Sequence, residues 1–192
     1  MSFGPLARAA STGQAEAMSE QAGSRPSVVA RTVADPATAR AHFAQRLSVE
    51  TDADDVASAV AAGLRDFHVV DARSPAAYAA AHIPGAISLP YRLICEEAVA
   101  DLPSGLLVVY CWGPGCNAAT NAAARLAALG RSVKEMLGGF EYWVREGHPV
   151  EGHDAGSGRY APDLSGLITL PGEGACGCAA PVGGSSSGDA DG

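Results

Sequence analysis

Cys111 and Cys116 are the residues of this sequence whose type and spacing best suit chemistry. They frame the segment CWGPGC, which directly follows the apolar run LLVVY (106–110). Gly113 and Gly115 allow this loop to curl so that its backbone N–H groups point inward, and the segment after it has a helical pattern. Backbone N–H groups and the positive end of a helix dipole both favour a thiolate over a thiol. We therefore predict a reactive Cys111 whose pKa lies below that of free cysteine.

Each of these two cysteines also has a plainer interpretation. A cysteine that ends an apolar strand is often a small buried hydrophobic residue, but the glycine-rich loop and the following helix favour a reactive Cys111. Cys116 either resolves an oxidised or persulfidated Cys111 by forming a disulfide, or fills a small loop position. The two interpretations of Cys116 stay open, because a disulfide requires Cα atoms less than about 7 Å apart.

The other three cysteines give weaker signals. The total of five, with clustered spacing, is not typical of a secreted disulfide framework. Cys176 and Cys178 form a C-G-C pair that either accepts sulfur from Cys111 as a further resolving pair, binds a soft metal, or is an inert part of the tail, which we favour. A closed zinc site needs two more ligands, so we predict no metal site. Cys95 is interpreted as a packing residue.

Strand and helix patterns alternate through the middle of the chain. The patterns predict strands at 47–51, 67–72, 86–89, 106–110 and 132–136, and helices at 37–47, 52–63, 74–82, 96–102, 117–130 and 138–147. Alternation of this kind is typical of βαβ units, so we predict an α/β fold with a mainly parallel sheet. Ligand sites of such sheets lie beyond the carboxyl ends of the strands, which is where CWGPGC is placed.

Composition limits the classes of function. The chain has 192 residues, 47% of them hydrophobic, and a formal net charge of −8, so nucleic acid and anionic membrane surfaces are poor partners. No apolar run approaches the roughly 20 residues of a membrane helix, and the first residues lack the apolar core of a secretory signal. We expect a cytoplasmic protein with a disordered segment at 1–27, one domain at 28–154 and a flexible Gly/Ser-rich tail at 155–192.

Three segments, in this order, resemble the signatures of rhodanese-like domains. The first is VVDARSPAAYAAAHIPGAISLP, the second is VVYCWGPGCNAATNAAARLAALG, and the third is VKEMLGGFEYWVREGHPVEG. The resemblance covers roughly residues 45–152. It implies a rhodanese-like α/β fold with about five mainly parallel strands, flanked by helices on both faces.

The resemblance also implies an activity. Rhodanese-like enzymes carry sulfane sulfur as a cysteine persulfide, and Cys111 stands at the position of the persulfide-bearing residue. It implies sulfur transfer from a small donor to a thiol of a small molecule or a protein, without a cofactor. The residues that would bind the persulfide lie in the loop and at the start of the next helix: Trp112, Gly113, Gly115, Cys116 and Asn117.

The loop departs from the family pattern in its charge. Pro114 replaces a frequent glycine and has no N–H to donate, and no Arg or Lys occurs between Cys111 and Arg125. Asn117 stands where the related phosphatases carry arginine, so phosphate transfer lacks its charge partner. The sequence thus supports sulfur chemistry more firmly than thiosulfate as the donor.

Two arginines outside the loop are candidates for anion steering. Arg92 follows the predicted strand at 86–89, and Arg73 follows the strand at 67–72, although we expect Arg73 to pair with Asp71. The leading hypothesis is a sulfurtransferase that uses Cys111. The alternatives are a thiol-disulfide or redox-sensing switch that uses Cys111 and Cys116, and a non-catalytic interaction module.

Overall fold

A computed structural model of the protein describes residues 27–165. The predicted N-terminal segment up to residue 26, and the part of the tail that contains Cys176 and Cys178, lie outside the described residues. The sheet and the helices that pack on it belong to the unit that begins at Phe43. None of the helices in the described part of the chain is long and apolar enough to cross a membrane.

The elements follow the predicted alternation closely. The helices are α1 (Pro36–Val49), α2 (Ala53–Ala61), α3 (Pro75–Ala80), α4 (Glu96–Ala100), α5 (Ala118–Ala128) and α6 (Gly139–Arg145), with a 3₁₀ turn at Tyr91–Leu93. The strands are β1 (Glu50–Thr51), β2 (Phe67–Asp71), β3 (Ile87–Ser88), β4 (Leu106–Tyr110) and β5 (Val133–Met136). The predicted strand at 47–51 is wrong over its first three residues, because α1 continues to Val49.

The five strands form one parallel sheet in the order β1-β5-β4-β2-β3. Helices cover both faces, so the predicted α/β class with about five mainly parallel strands is confirmed. Val108 and Tyr110 of β4 pack in a core with α2 and α6, whereas Leu107 and Val109 pack on the opposite face with α4 and α5. Burial of both faces explains why LLVVY shows no alternation of polar residues.

Local capping explains where several helices begin. The Asp52 side chain accepts a hydrogen bond from the Asp55 N–H at the start of α2, and the Ser74 hydroxyl does the same for Ala77 in α3. After α5, Gly130 has φ = +78°, a conformation that strongly favours glycine. These caps set the starts of α2 and α3 and the end of α5.

Candidate active site

Cys111 lies at the carboxyl end of the central strand β4 and is only 2% exposed. Its Sγ donates a hydrogen bond to the carbonyl oxygen of Cys116 across a distance of 2.9 Å. The Cys116 N–H in turn donates to the Gly113 carbonyl oxygen at 2.9 Å. The loop is therefore a closed turn in which the two cysteines are neighbours, and the Cys116 N–H is already engaged.

Helix α6 holds this loop from the other side. The N–H groups of Phe140 and Glu141 donate to the carbonyl oxygens of Cys111 and Trp112, at 2.8 Å and 2.7 Å. Gly139, at the start of α6, has φ = +58°, and a Cβ at this position would lie 2.7 Å from the Cys111 carbonyl oxygen. The close approach requires glycine, and it fixes the loop carbonyls against α6.

Backbone N–H groups act on the Cys111 sulfur, but burial acts more strongly. Burial, and then the contact with the Cys116 thiol, raise the pKa of Cys111 to about 11, while the N–H groups of Ala119 and Gly113 lower it. The predicted lowering of this pKa is wrong, because the apolar packing around Cys111 outweighs the loop amides. Ala119 was not among the predicted site residues, although the free N–H groups of a helix N-terminus point to it.

The neighbouring thiol is shifted in the opposite direction. Burial acts against ionisation of Cys116, but the N–H of Ala118, the contact with the Cys111 thiol and the N–H of Trp112 together lower its pKa. Of the two neighbouring thiols, Cys116 thus loses its proton more readily.

A cavity of about 630 Å³ opens above Cys111. Both cysteines line it, together with Gly113, Gly115 and Asn117, so the structure brings most of the predicted loop residues to one cavity. Its walls also contain acidic residues that were not among the predicted site residues: Asp52, Asp54, Glu135 and Glu146. Asp52 could have been predicted from the sequence, because it directly follows β1 and ligand sites of parallel sheets lie beyond the carboxyl ends of the strands.

Arg73 lies away from this cavity. As predicted, it pairs with Asp71, with 2.6 Å between Nη2 and Oδ2, and both side chains are buried. The Tyr110 hydroxyl donates to the same carboxylate oxygen at 2.6 Å. The Arg73 guanidinium also lies over the rings of Phe140 and Trp112, at 4.0 Å and 4.6 Å from their centroids. The positive charge of Arg73 is therefore compensated by Asp71 in the protein interior.

A second cavity, of about 490 Å³, lies on the other side of the loop. Arg73, Arg92 and the half-exposed Trp112 line it, and neither arginine lines the Cys111 cavity. The exposed Arg92 donates to the Tyr91 hydroxyl at 2.9 Å. Cys116 lines both cavities, so it is the residue that the two share.

The remaining candidates lie apart from the loop. Cys95 is a free, exposed cysteine at the start of α4. Among residues 27–165, no group of three or more His, Cys, Asp or Glu side chains is arranged to hold a metal ion.

Comparisons with known proteins point to one family. The family model described as "Rhodanese-like domain" matches residues 52–146. The chain is 44% identical over 85 residues to the thiosulfate sulfurtransferase GlpE of Pseudomonas entomophila, a match that covers 43% of this chain and 74% of GlpE. The crystal structure of BH2092 from Bacillus halodurans superimposes with a TM-score of 0.63 at 40% identity, covering 69% of this chain and 96% of that one.

A regulator is also similar. The chain is 35% identical over 91 residues to the HTH-type transcriptional regulator Rv0324 of Mycobacterium tuberculosis. The match covers 47% of this chain and 40% of the regulator.

Proposed function

The chain belongs to the rhodanese-like domain family, and we propose that it is a sulfurtransferase that carries sulfane sulfur as a persulfide on Cys111. The observation that carries this proposal is the position of Cys111 at the floor of a cavity, with the N–H groups of Gly113 and Ala119 acting on its sulfur. Similarity to GlpE, which is named a thiosulfate sulfurtransferase, supports the same chemistry.

The proposed reaction has two displacements. The Cys111 thiolate attacks the outer sulfur of a donor, the donor's sulfur–sulfur bond breaks, and the remainder of the donor leaves with the electron pair. An acceptor thiolate then attacks the outer sulfur of the Cys111 persulfide and releases the Cys111 thiolate. The two N–H groups stabilise negative charge on sulfur in both steps. The acceptor is a thiol of a small molecule or of a protein.

A mass measurement on the intact protein tests this proposal. After a pulse of a small organic persulfide such as cysteamine persulfide, we expect the protein to gain one sulfur atom at Cys111 and to lose it again when a thiol is added. Cys111→Ser should abolish the gain without changing the melting curve, because serine has a similar volume and cannot form a persulfide. The matched control is Cys95→Ser, which removes an exposed cysteine and should load normally. Loading that persists in Cys111→Ser would refute the assignment.

A second candidate function is a redox switch that uses both loop cysteines. The observation in its favour is that the Cys111 thiol contacts the Cys116 thiol and also donates to the Cys116 carbonyl oxygen, and that Cys116 is the more acidic of the two thiols. The same mass measurement separates the two functions. Oxidation to a Cys111–Cys116 disulfide removes two hydrogen atoms and adds no sulfur. A protein that changes by neither route would instead be an interaction module.

A further inference from the structure

Carboxyl side chains line the cavity above Cys111. Asp52 and Asp54 lie at the N-terminus of α2, Glu135 lies in β5, and Glu146 directly follows α6. No lysine, arginine or histidine is among the described residues that line this cavity. The charged side chains that face an approaching molecule are therefore all negative.

These negative charges act on groups inside the cavity. Burial, followed by the nearby Asp54 and Asp52, raises the pKa of Glu146 to about 7. Glu135 opposes ionisation of Cys116, although other contacts lower the pKa of that thiol overall. The carboxylates thus influence one another and the cysteine loop, rather than being screened completely by solvent.

Two of the carboxyl groups are held in place by hydrogen bonds. The Asp52 Oδ1 accepts from the Asp55 N–H at 2.9 Å, and the Glu135 Oε1 accepts from the Thr120 hydroxyl at 2.9 Å. The Glu146 Oε2 lies 3.2 Å from the Nε2 of His148. Burial lowers the pKa of this histidine, so it brings no fixed positive charge to the wall.

The nearby cations are engaged elsewhere. Lys134 donates to the Leu47 carbonyl oxygen at 2.7 Å, and Arg145 lies 3.5 Å and 3.6 Å from the carboxylates of Glu141 and Asp163. The two arginines that follow β2 and β3 line the second cavity. None of these four side chains lines the cavity of Cys111.

We infer that the Cys111 cavity selects sulfur compounds by charge, favouring thiols and persulfides that carry an ammonium group near the sulfur and excluding dianions such as thiosulfate. As a statement about substrates, this inference rests on the proposed function. An ammonium group gains attraction from the carboxylates as it approaches Cys111, whereas a dianion is repelled and finds no cation to compensate the loss of its hydration. The favoured substrate class is thus the aminothiols, with cysteamine as the simplest member.

A pair of thiol reagents with opposite charge tests the selection without requiring sulfur transfer. The trimethylammonioethyl and sulfonatoethyl methanethiosulfonates react in the same way: the thiolate displaces methanesulfinate and forms a disulfide. In a Cys116→Ser background, we expect the cationic reagent to modify Cys111 about tenfold faster, relative to the anionic one, than it modifies a free thiol in solution. A ratio equal to that of the free thiol would overturn the inference.

Two sets of charge variants provide a crossed control in the same background. Asp54→Asn combined with Glu146→Gln should lower the cationic preference at Cys111 and leave it unchanged at Cys95. Glu97→Gln should lower the cationic preference at Cys95 and leave it unchanged at Cys111. Glu97 contacts Cys95 on the exposed side of α4 and lines none of the described cavities. If the double variant keeps the preference at Cys111, the wall carboxylates are not its cause and the inference fails.

Acceptor thiols then test whether the selection governs sulfur transfer. Cysteamine and mercaptoacetate are similar in size and opposite in charge. We expect the ratio of their kcat/KM values to fall in the double variant, Asp54→Asn with Glu146→Gln, and to stay constant in Glu97→Gln. An unchanged ratio in the double variant refutes selection of the acceptor. If no thiol accepts sulfur while the reagent pair still shows the preference, the proposed function fails and the charge selection of the cavity stands.

Discussion

Replacing Gly139 with alanine should disturb the cysteine loop more than the chain as a whole. Gly139 has φ = +58°, and the added Cβ would lie 2.7 Å from the Cys111 carbonyl oxygen and 3.0 Å from the Gly113 nitrogen. The left-handed conformation alone costs about 1–2 kcal/mol for alanine. Since both nearby atoms belong to backbone, the loop and α6 must also move apart by several tenths of an ångström.

This movement should weaken the hydrogen bonds from α6 to the loop. The bonds from the N–H groups of Phe140 and Glu141 each contribute about 0.5–1.5 kcal/mol. The expected total loss in the free energy of unfolding is therefore about 2–5 kcal/mol. A displaced loop also misplaces Cys111, and a misplacement of about 1 Å can reduce a rate roughly 100-fold.

Gly130→Ala is the matched control. Gly130 has φ = +78°, and a Cβ there would meet nothing within 4 Å. The free energy of unfolding of this variant should therefore fall only by the cost of the left-handed conformation, about 1–2 kcal/mol. The assay compares urea unfolding and the rate of sulfur loading in both variants. Equal stability of the two variants, with normal loading in Gly139→Ala, would refute the claim that α6 positions the loop.

Three further predictions concern protonation and a buried hydrogen bond. Because the thiolate is the reactive form and the pKa of Cys111 is raised to about 11, its alkylation by iodoacetamide should accelerate about tenfold per pH unit from pH 7 to 10; a plateau near pH 8 would contradict this. Tyr110→Phe should cost about 1.5–3 kcal/mol in urea unfolding, because Asp71 loses a buried donor, whereas Tyr160→Phe, at a partly exposed ring, should cost less. Burial, Asp54 and Asp52 raise the pKa of Glu146 from 4.5 to about 7, so the folded protein binds the extra proton and stability should fall as pH rises through that interval. Glu146→Gln should make the free energy of unfolding less dependent on pH in this interval. A pH profile of stability that is the same in the variant would contradict the raised pKa of Glu146.

The sequence allowed the sheet and the position of Cys111 to be predicted because those features depend on local patterns. An apolar strand without alternation, a glycine-rich loop and a helical segment after it place Cys111 at the carboxyl edge of a parallel sheet. The start of β1 was mispredicted because Leu47 and Val49 favour a strand, whereas the helix continues through them and ends beside an Arg46–Glu50 ion pair at 2.8 Å.

The charge environment of the site was only partly predictable. The absence of cations in the loop is a property of the sequence. The acidic wall of the cavity, however, joins Asp52 and Asp54 at the start of α2 to Glu135 and Glu146, which lie much later in the chain. Their meeting depends on the strand order and on how α2 and α6 pack. The direction of the Cys111 pKa shift was mispredicted for a similar reason, because burial is set by packing against α5 and is not visible in the loop itself.

The shared position of Cys116 has a consequence for covalent inhibition. An electrophile attached to an apolar scaffold can approach this thiol through the second cavity, where Trp112, Leu93 and Pro75 offer apolar contact, without crossing the acidic wall. Since Cys116 also lines the cavity of Cys111, such an adduct would obstruct that cavity from the opposite side of the loop. The second cavity would then determine the affinity for the inhibitor, and the Cys111 cavity the charge preference for the substrate. A substrate at high concentration would therefore protect Cys116 poorly against the inhibitor.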